Sequence, residues 1–247
     1  MNTKQLYEDK VWDLPTRLFH WINFTAVIML IFMGLVMLFK KELGITSVDA
    51  KIGLKVVHVT IGYVFVTNLV IRIAWGFIGN RYARWRTLIP SSGQMSRIHA
   101  YKQSIKQGTP LQYAGHNPLG QLAVVVLFLC LITMAITGLT RAGTDIYYPP
   151  FGSIAAEYIA QPGVDPGSLI PYDTSAVDKE KYDALKAFKK PFGSVHIYTS
   201  YFLMFLIIVH IAAVIRVEIK QGGGIISAMF TGKKLLKDKA SDDEDQS

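Results

Sequence analysis

The chain has 247 residues, of which 51% are hydrophobic and 18% charged, with a mean hydropathy of +0.29 and a formal net charge of +8. That apolar share argues for a membrane protein rather than one or two soluble domains. A single cysteine excludes a disulfide framework, and the basic residues fall between apolar runs rather than in a patch suited to nucleic acid.

The first apolar run, residues 18–39, reaches the ~20 residues that a spanning helix needs. It exceeds the roughly 7–15 residues of a signal-peptide core and enters lysines without a small-x-small cleavage site. It therefore reads as a retained helix, with His20 at its start. The second run, residues 56–78, begins beside His58 and is interrupted by Arg72 near its far end. Residues 80–117 follow, carrying Arg81, Arg84, Arg86, Arg97, Lys102 and Lys106 and no acidic residue. His99, in this basic segment, reads as exposed.

The third run, residues 118–140, opens on His116-Asn-Pro118 and carries Cys130 at mid-depth, where a small packing residue is the simplest reading. Residues 141–190 form an expected loop of mixed charge, long enough to imply docking or function. The fourth run, residues 191–215, contains His196 and His210. The glycine-rich stretch at 222–232 is too short to span and reads as an interfacial or capping turn. The acidic tail, 239–247, reads as disordered.

Runs of this length with little period-2 alternation do not make a membrane barrel. The expected fold is all-α, an integral membrane four-helix bundle. Residues 1–220 are its membrane domain and 221–247 a cytoplasmic tail. Basic residues cluster in 80–117 and after the fourth run, so both termini are expected in the cytoplasm and the 141–190 loop on the other side. The inner arginines would meet anionic lipid headgroups.

Histidine is rare in lipid, and here it follows a pattern. His196 and His210 are 14 residues apart. At about 100° and 1.5 Å per residue they share one helix face, separated by about 21 Å. The expected topology sorts the four span histidines by depth, His58 with His196 on the outer side and His20 with His210 on the inner. Each pair joins two different helices, as a haem clamped between helices requires. No Cys-x-x-Cys-His is present, so covalent haem is excluded. Iron held by two imidazoles has no open axial position and favours electron transfer over oxygen chemistry. Gly34, Gly62, Ala135 and Gly138 either leave room for a porphyrin or simply allow close helix packing.

Three motifs carry a family resemblance. Val11-Trp-Asp-Leu-Pro-Thr-Arg-Leu-Phe-His-Trp21, Arg72-Ile-Ala-Trp-Gly-Phe-Ile-Gly-Asn-Arg-Tyr82 and Gly115-His-Asn-Pro-Leu-Gly-Gln121 resemble the bacterial cytochrome b561-like subunits of membrane-bound nickel–iron hydrogenases. Formate dehydrogenase gamma subunits and thiosulfate-reductase cytochromes share the histidine plan. The resemblance implies two haem b groups, ligated by His20, His58, His196 and His210. It also implies a multi-pass protein of the bacterial inner membrane, passing electrons between a periplasmic redox subunit and quinone. The hydrogenase small subunit is the expected partner, with a periplasmic cytochrome c or another dehydrogenase as alternatives. A quinone site near the inner haem would use His116 and Asn117, although Asn before Pro is also a good helix start. Arg17, Arg72 and Arg81 are candidates for haem propionates or for ordinary topology anchoring. The sequence departs from the family where Lys190-Pro-Phe-Gly-Ser-Val-His-Ile-Tyr-Thr-Ser-Tyr201 has tyrosine and serine in place of a second histidine, which leaves the partner open. A non-haem metal transporter would need polar residues at mid-depth that the runs almost entirely lack. A purely structural anchor leaves the paired histidines unexplained.

Overall fold

The computed structural model describes residues 7–221, 224–236 and 240–244. In chain order the elements are β1 (Tyr7–Lys10), α1 (Leu14–Leu38), α2 (Val48–Ile78), α3 (Trp85–Leu88), α4 (Gln94–Lys106) and α5 (Pro118–Ile146). They continue with α6 (Gly152–Ile159), a 3-10 turn (Pro166–Ser168), α7 (Lys179–Gln221), α8 (Ile225–Thr231), β2 (Lys233–Leu236) and α9 (Ser241–Glu244).

Helices α1, α2, α5 and α7 are long and apolar enough to cross a bilayer. They leave large apolar side chains outside: Phe32 is 64% exposed, Ile208 68% and Phe77 71%. Surface of that extent needs an apolar solvent, and a helix can enter one because its backbone is hydrogen-bonded internally. The protein is a multi-pass membrane protein.

The helices outrun their apolar stretches. Arg141–Ile146 completes α5, and Lys179–Lys190 forms the first turns of α7, so the expected loop at 141–190 shrinks to 147–178. Pro191, where the fourth span was expected to begin, lies inside α7. Hydropathy marks the edge of the lipid, while the helix continues into polar sequence beyond it. Asp178 starts α7 as its cap, accepting from Lys181 N at 3.1 Å.

Two compact units divide the chain. The first collects the described parts of 1–21, 70–129 and 204–247. Here β1 pairs antiparallel with β2, Tyr7 opposite Leu236, and Gly232 O accepts from Val11 N and Trp12 N at 2.8 and 3.1 Å. Val11, Ala114, Leu236 and Ala240 form a buried cluster with Trp12 and Tyr82 packed against it. Asp13 ties α1 to the end of α2, accepting from Thr16 N, Trp75 Nε1 and Asn80 N at 2.9–3.1 Å. Burial pushes the Asp13 carboxyl up, but these hydrogen bonds outweigh it and hold the group below its ordinary value.

Part of the tail is folded, which corrects the disordered reading for 240–244. The Asp242 carboxylate accepts from Ala114 N and Gly115 N at 2.8 and 2.9 Å, and Ser241 N donates to Gln112 O. An acidic run reads as solvated, and nothing local in it shows that two distant amides need an acceptor. Residues 239 and 245–247 lie outside the described set. The glycine-rich stretch contains a helix, α8, whose first amides at Ile225 and Ile226 donate to the Glu218 carboxylate.

The second unit comprises 22–69 and 130–203. Ala155, Ala156, Ile159, Leu169, Val177 and Leu185 form its buried cluster beneath 147–178. An isolated bridge between Ala160 and Val177 closes that segment on itself. The expected docking loop is therefore an ordered layer.

Candidate functional site

In the second unit, His58 on α2 and His196 on α7 face each other, with ring centroids 6.4 Å apart and planes crossed at 70°. A ligating imidazole nitrogen sits about 2 Å from its metal and just over about 1 Å from its own ring centroid. Two rings sharing one metal therefore have centroids roughly 6 Å apart. The observed spacing fits two imidazoles sharing one iron. His58 Nδ1 is buried without a hydrogen-bond partner among the described residues. Among those residues, no group of three or more His, Cys, Asp or Glu is arranged as a cage for a bare ion. The donor set suits axial ligation, where a macrocycle supplies the remaining donors.

His196 has a support that the sequence did not flag. Its Nδ1 lies 2.8 Å from Thr137 Oγ1 on α5. When Thr137 donates its one proton to Thr133 O, 2.7 Å away, its oxygen accepts from the Nδ1–H tautomer of His196. The proton on Nδ1 leaves Nε2 with its lone pair free for a metal. Glycines flank both rings: a Cβ on Gly138 would meet His196 Cε1 at 3.5 Å, and one on Gly34 would meet His58 Cε1 at 4.0 Å. A Cβ on Gly62, one turn after His58, would meet nothing within 4 Å.

The first unit contains both His20 and His210, which interact electrostatically. His20 Nδ1 is likewise buried without a partner among the described residues, and the Trp21 ring stands edge-on to His20 at 5.2 Å. Arg17, three residues before His20, donates to Phe230 O, while its Nε is buried and unpartnered among the described residues. Arg72 is only 4% exposed. It donates to Ala83 O at 2.9 Å inside a box of Phe19, Trp85 and Phe128, with ring centroids 5.4–5.8 Å away. Its NH1 has no partner among the described residues. Close packing shapes this box: a Cβ on Gly76 would fall 2.2 Å from the Trp85 indole. Arg81 is engaged by Asp242 O and lies over the Tyr82 ring.

His116 lines a cavity of about 650 Å³ in the same unit, together with Arg81, Arg84, Arg86, Arg97 and Gln121. Its ring packs against Trp12 at 4.9 Å. Burial, reinforced by the charges of Lys234, His210 and Arg72, pushes its pKa down to about 4, so it is neutral at physiological pH. Asn117 is engaged as the cap of α5: Oδ1 accepts from Gly120 N at 2.8 Å, and Nδ2 donates to the Tyr101 hydroxyl at 3.1 Å. His99 is exposed and touches neither histidine pair.

Spanning helices that set half-buried imidazoles opposite one another define a membrane protein suited to a metal-centred cofactor. Residues 11–232 match the prokaryotic cytochrome b561 family, and the chain belongs to it. Among its relatives is a probable Ni/Fe-hydrogenase B-type cytochrome subunit of Rhizobium leguminosarum bv. viciae. It is 28% identical over 244 residues, covering 93% of this chain and 90% of the relative. A protein of the same name from Cupriavidus necator is 25% identical over 95% of this chain and 90% of its own length. The probable Ni/Fe-hydrogenase 1 B-type cytochrome subunit of Escherichia coli K12 is 32% identical over 57% of this chain and 63% of its own length. No solved structure matches the chain.

Proposed function

We propose that this chain is the di-haem b subunit of a membrane-bound nickel–iron hydrogenase, carrying electrons between a periplasmic partner and the quinone pool of the bacterial inner membrane. The spacing of His58 and His196 is the observation that carries the reading, because it suits one iron between two imidazoles. The names of the relatives support the hydrogenase as partner.

Haem b, when bound, supplies reversible one-electron chemistry. His58 and His196 would hold one such group, and His20 and His210 the other. Two imidazoles per group would leave its iron no open site for oxygen and so favour electron transfer. The basic segments put both termini of this four-helix bundle in the cytoplasm. The His58/His196 pair and the ordered 147–178 layer then face the periplasm, where a hydrogenase would dock. His116 is neutral and lines a cavity, so it can donate a hydrogen bond to a quinone carbonyl. Asn117 serves this site by fixing the start of α5 beside His116.

Haem extraction from single variants tests the pairing. His58→Ala and His196→Ala should each leave one haem per chain, the same one. His20→Ala and His210→Ala should each leave the other. If any of the four retains both haems, that residue is not a ligand. His116→Ala should slow quinone reduction several-fold with haem content unchanged, and unaltered turnover would remove His116 from the quinone site.

A further inference from the structure

Beside the His58/His196 pair, three cations meet one carboxylate. Asp145 Oδ2 takes Lys55 Nζ and Arg141 NH2, each at 3.0 Å, and Oδ1 takes Lys189 Nζ at 2.8 Å. The Asp145 side chain is 11% exposed and the three bases 22–32%. Among the described residues no other carboxylate lies within ion-pair distance of these bases, so the cluster carries two uncompensated positive charges. Such an excess, partly withdrawn from water at the end of three spanning helices, is unfavourable unless an anion joins it.

The helical register aims this excess at the histidines. Lys55 precedes His58 by three residues on α2, and Lys189 precedes His196 by seven on α7, so each base shares a helix face with its histidine. Thr137, Arg141 and Asp145 follow one another at intervals of four along α5, so the bond to His196 and the ion cluster share one face. A Cβ on Gly193, one turn before His196, would lie 3.6 Å from the Arg141 guanidinium. Arg141 also interacts electrostatically with both imidazoles.

We propose that Lys55, Arg141 and Lys189 are the seat for the two propionates of the haem held by His58 and His196. This rests on the ligation proposed above. Haem b carries two carboxylates; with Asp145 they bring the three cations to neutrality. Asp145 holds the bases in place before the cofactor arrives, so the site is organised in advance. Arg141 offers a planar guanidinium suited to a carboxylate, and the lysines offer point charges.

The test uses the full chain carrying His20→Ala, which leaves the His58/His196 haem alone. Its propionate bending band in the resonance Raman spectrum reads the carboxylates directly. Arg141→Gln and Lys189→Gln should each shift that band while the low-spin marker bands stay fixed. A band unmoved in both variants would overturn the proposal and leave the excess charge to a lipid phosphate or an acidic partner surface. Should a variant lose its haem, the unaltered chain decides the matter. It should retain haem b about tenfold or more tightly than the dimethyl ester of haem, because the ester forfeits charge-assisted hydrogen bonds. Equal retention would overturn the proposal. Haem surviving His58→Ala in the His20→Ala chain would instead break the ligation on which the seat rests.

Discussion

A histidine in lipid is legible because the residue type is rare there and polar groups are costly to bury. A threonine is not. Thr137 is one of several hydroxyl residues in α5, most of which bond back to their own helix, as Thr140 and Thr144 do. Nothing in the sequence distinguishes the one that also meets His196. In the proposed site, an Nδ1–H bond to Thr137 would make His196 a more basic ligand. Thr137→Val should therefore raise the midpoint potential of the His58/His196 haem and weaken its retention by about 10–100-fold. Thr137→Ser should restore both, as potentiometry and haem counting on the two variants will show. An equal effect of Val and Ser would mean that volume, not the hydroxyl, matters at this position. Asp145 was hidden for another reason: in the sequence it is one of seven acids in a segment of mixed charge. Only the fold shows that it gathers Lys55, Arg141 and Lys189 from three helices.

At the scale of elements, hydropathy located all four spanning helices but not their ends. The apolar run and the helix begin together at Pro118, where Asn117 caps the helix. They diverge at α7, where Asp178 caps a helix that is polar for its first three turns and passes through Pro191. Asn117 is thus better understood through α5 than through a substrate. Asn117→Ala should cost about 1 kcal/mol, the usual value of an N-cap, and lower the melting temperature with both haems still bound. The His116 ring would lose its fixed neighbour, so slower quinone turnover should accompany the drop. A stable protein with slow turnover would instead return Asn117 to the quinone site.

Across the whole molecule, each proposed ligand pair falls within one compact unit, His20 with His210 and His58 with His196. The unit boundaries themselves were not legible, because both units are assembled from segments far apart in the chain. Residues near the C-terminus complete the first unit: Asp242 accepts two amides immediately before His116. Asp242→Ala should destabilise this unit by about 1–3 kcal/mol, the penalty for buried donors left unpaired. Thermal unfolding followed at the haem bands should show the His20/His210 haem released first; simultaneous loss of both haems would mean that the two units unfold together. The β1–β2 pairing has a consequence for biogenesis. Tyr7 is made before all four span histidines, yet its partner Leu236 is made after them. His58 can meet His196 before Leu236 has been made, whereas the β1–β2 pairing of the first unit has to wait for it. The His58/His196 pair can therefore form before the β1–β2 pairing does, and the first unit is the later of the two to close.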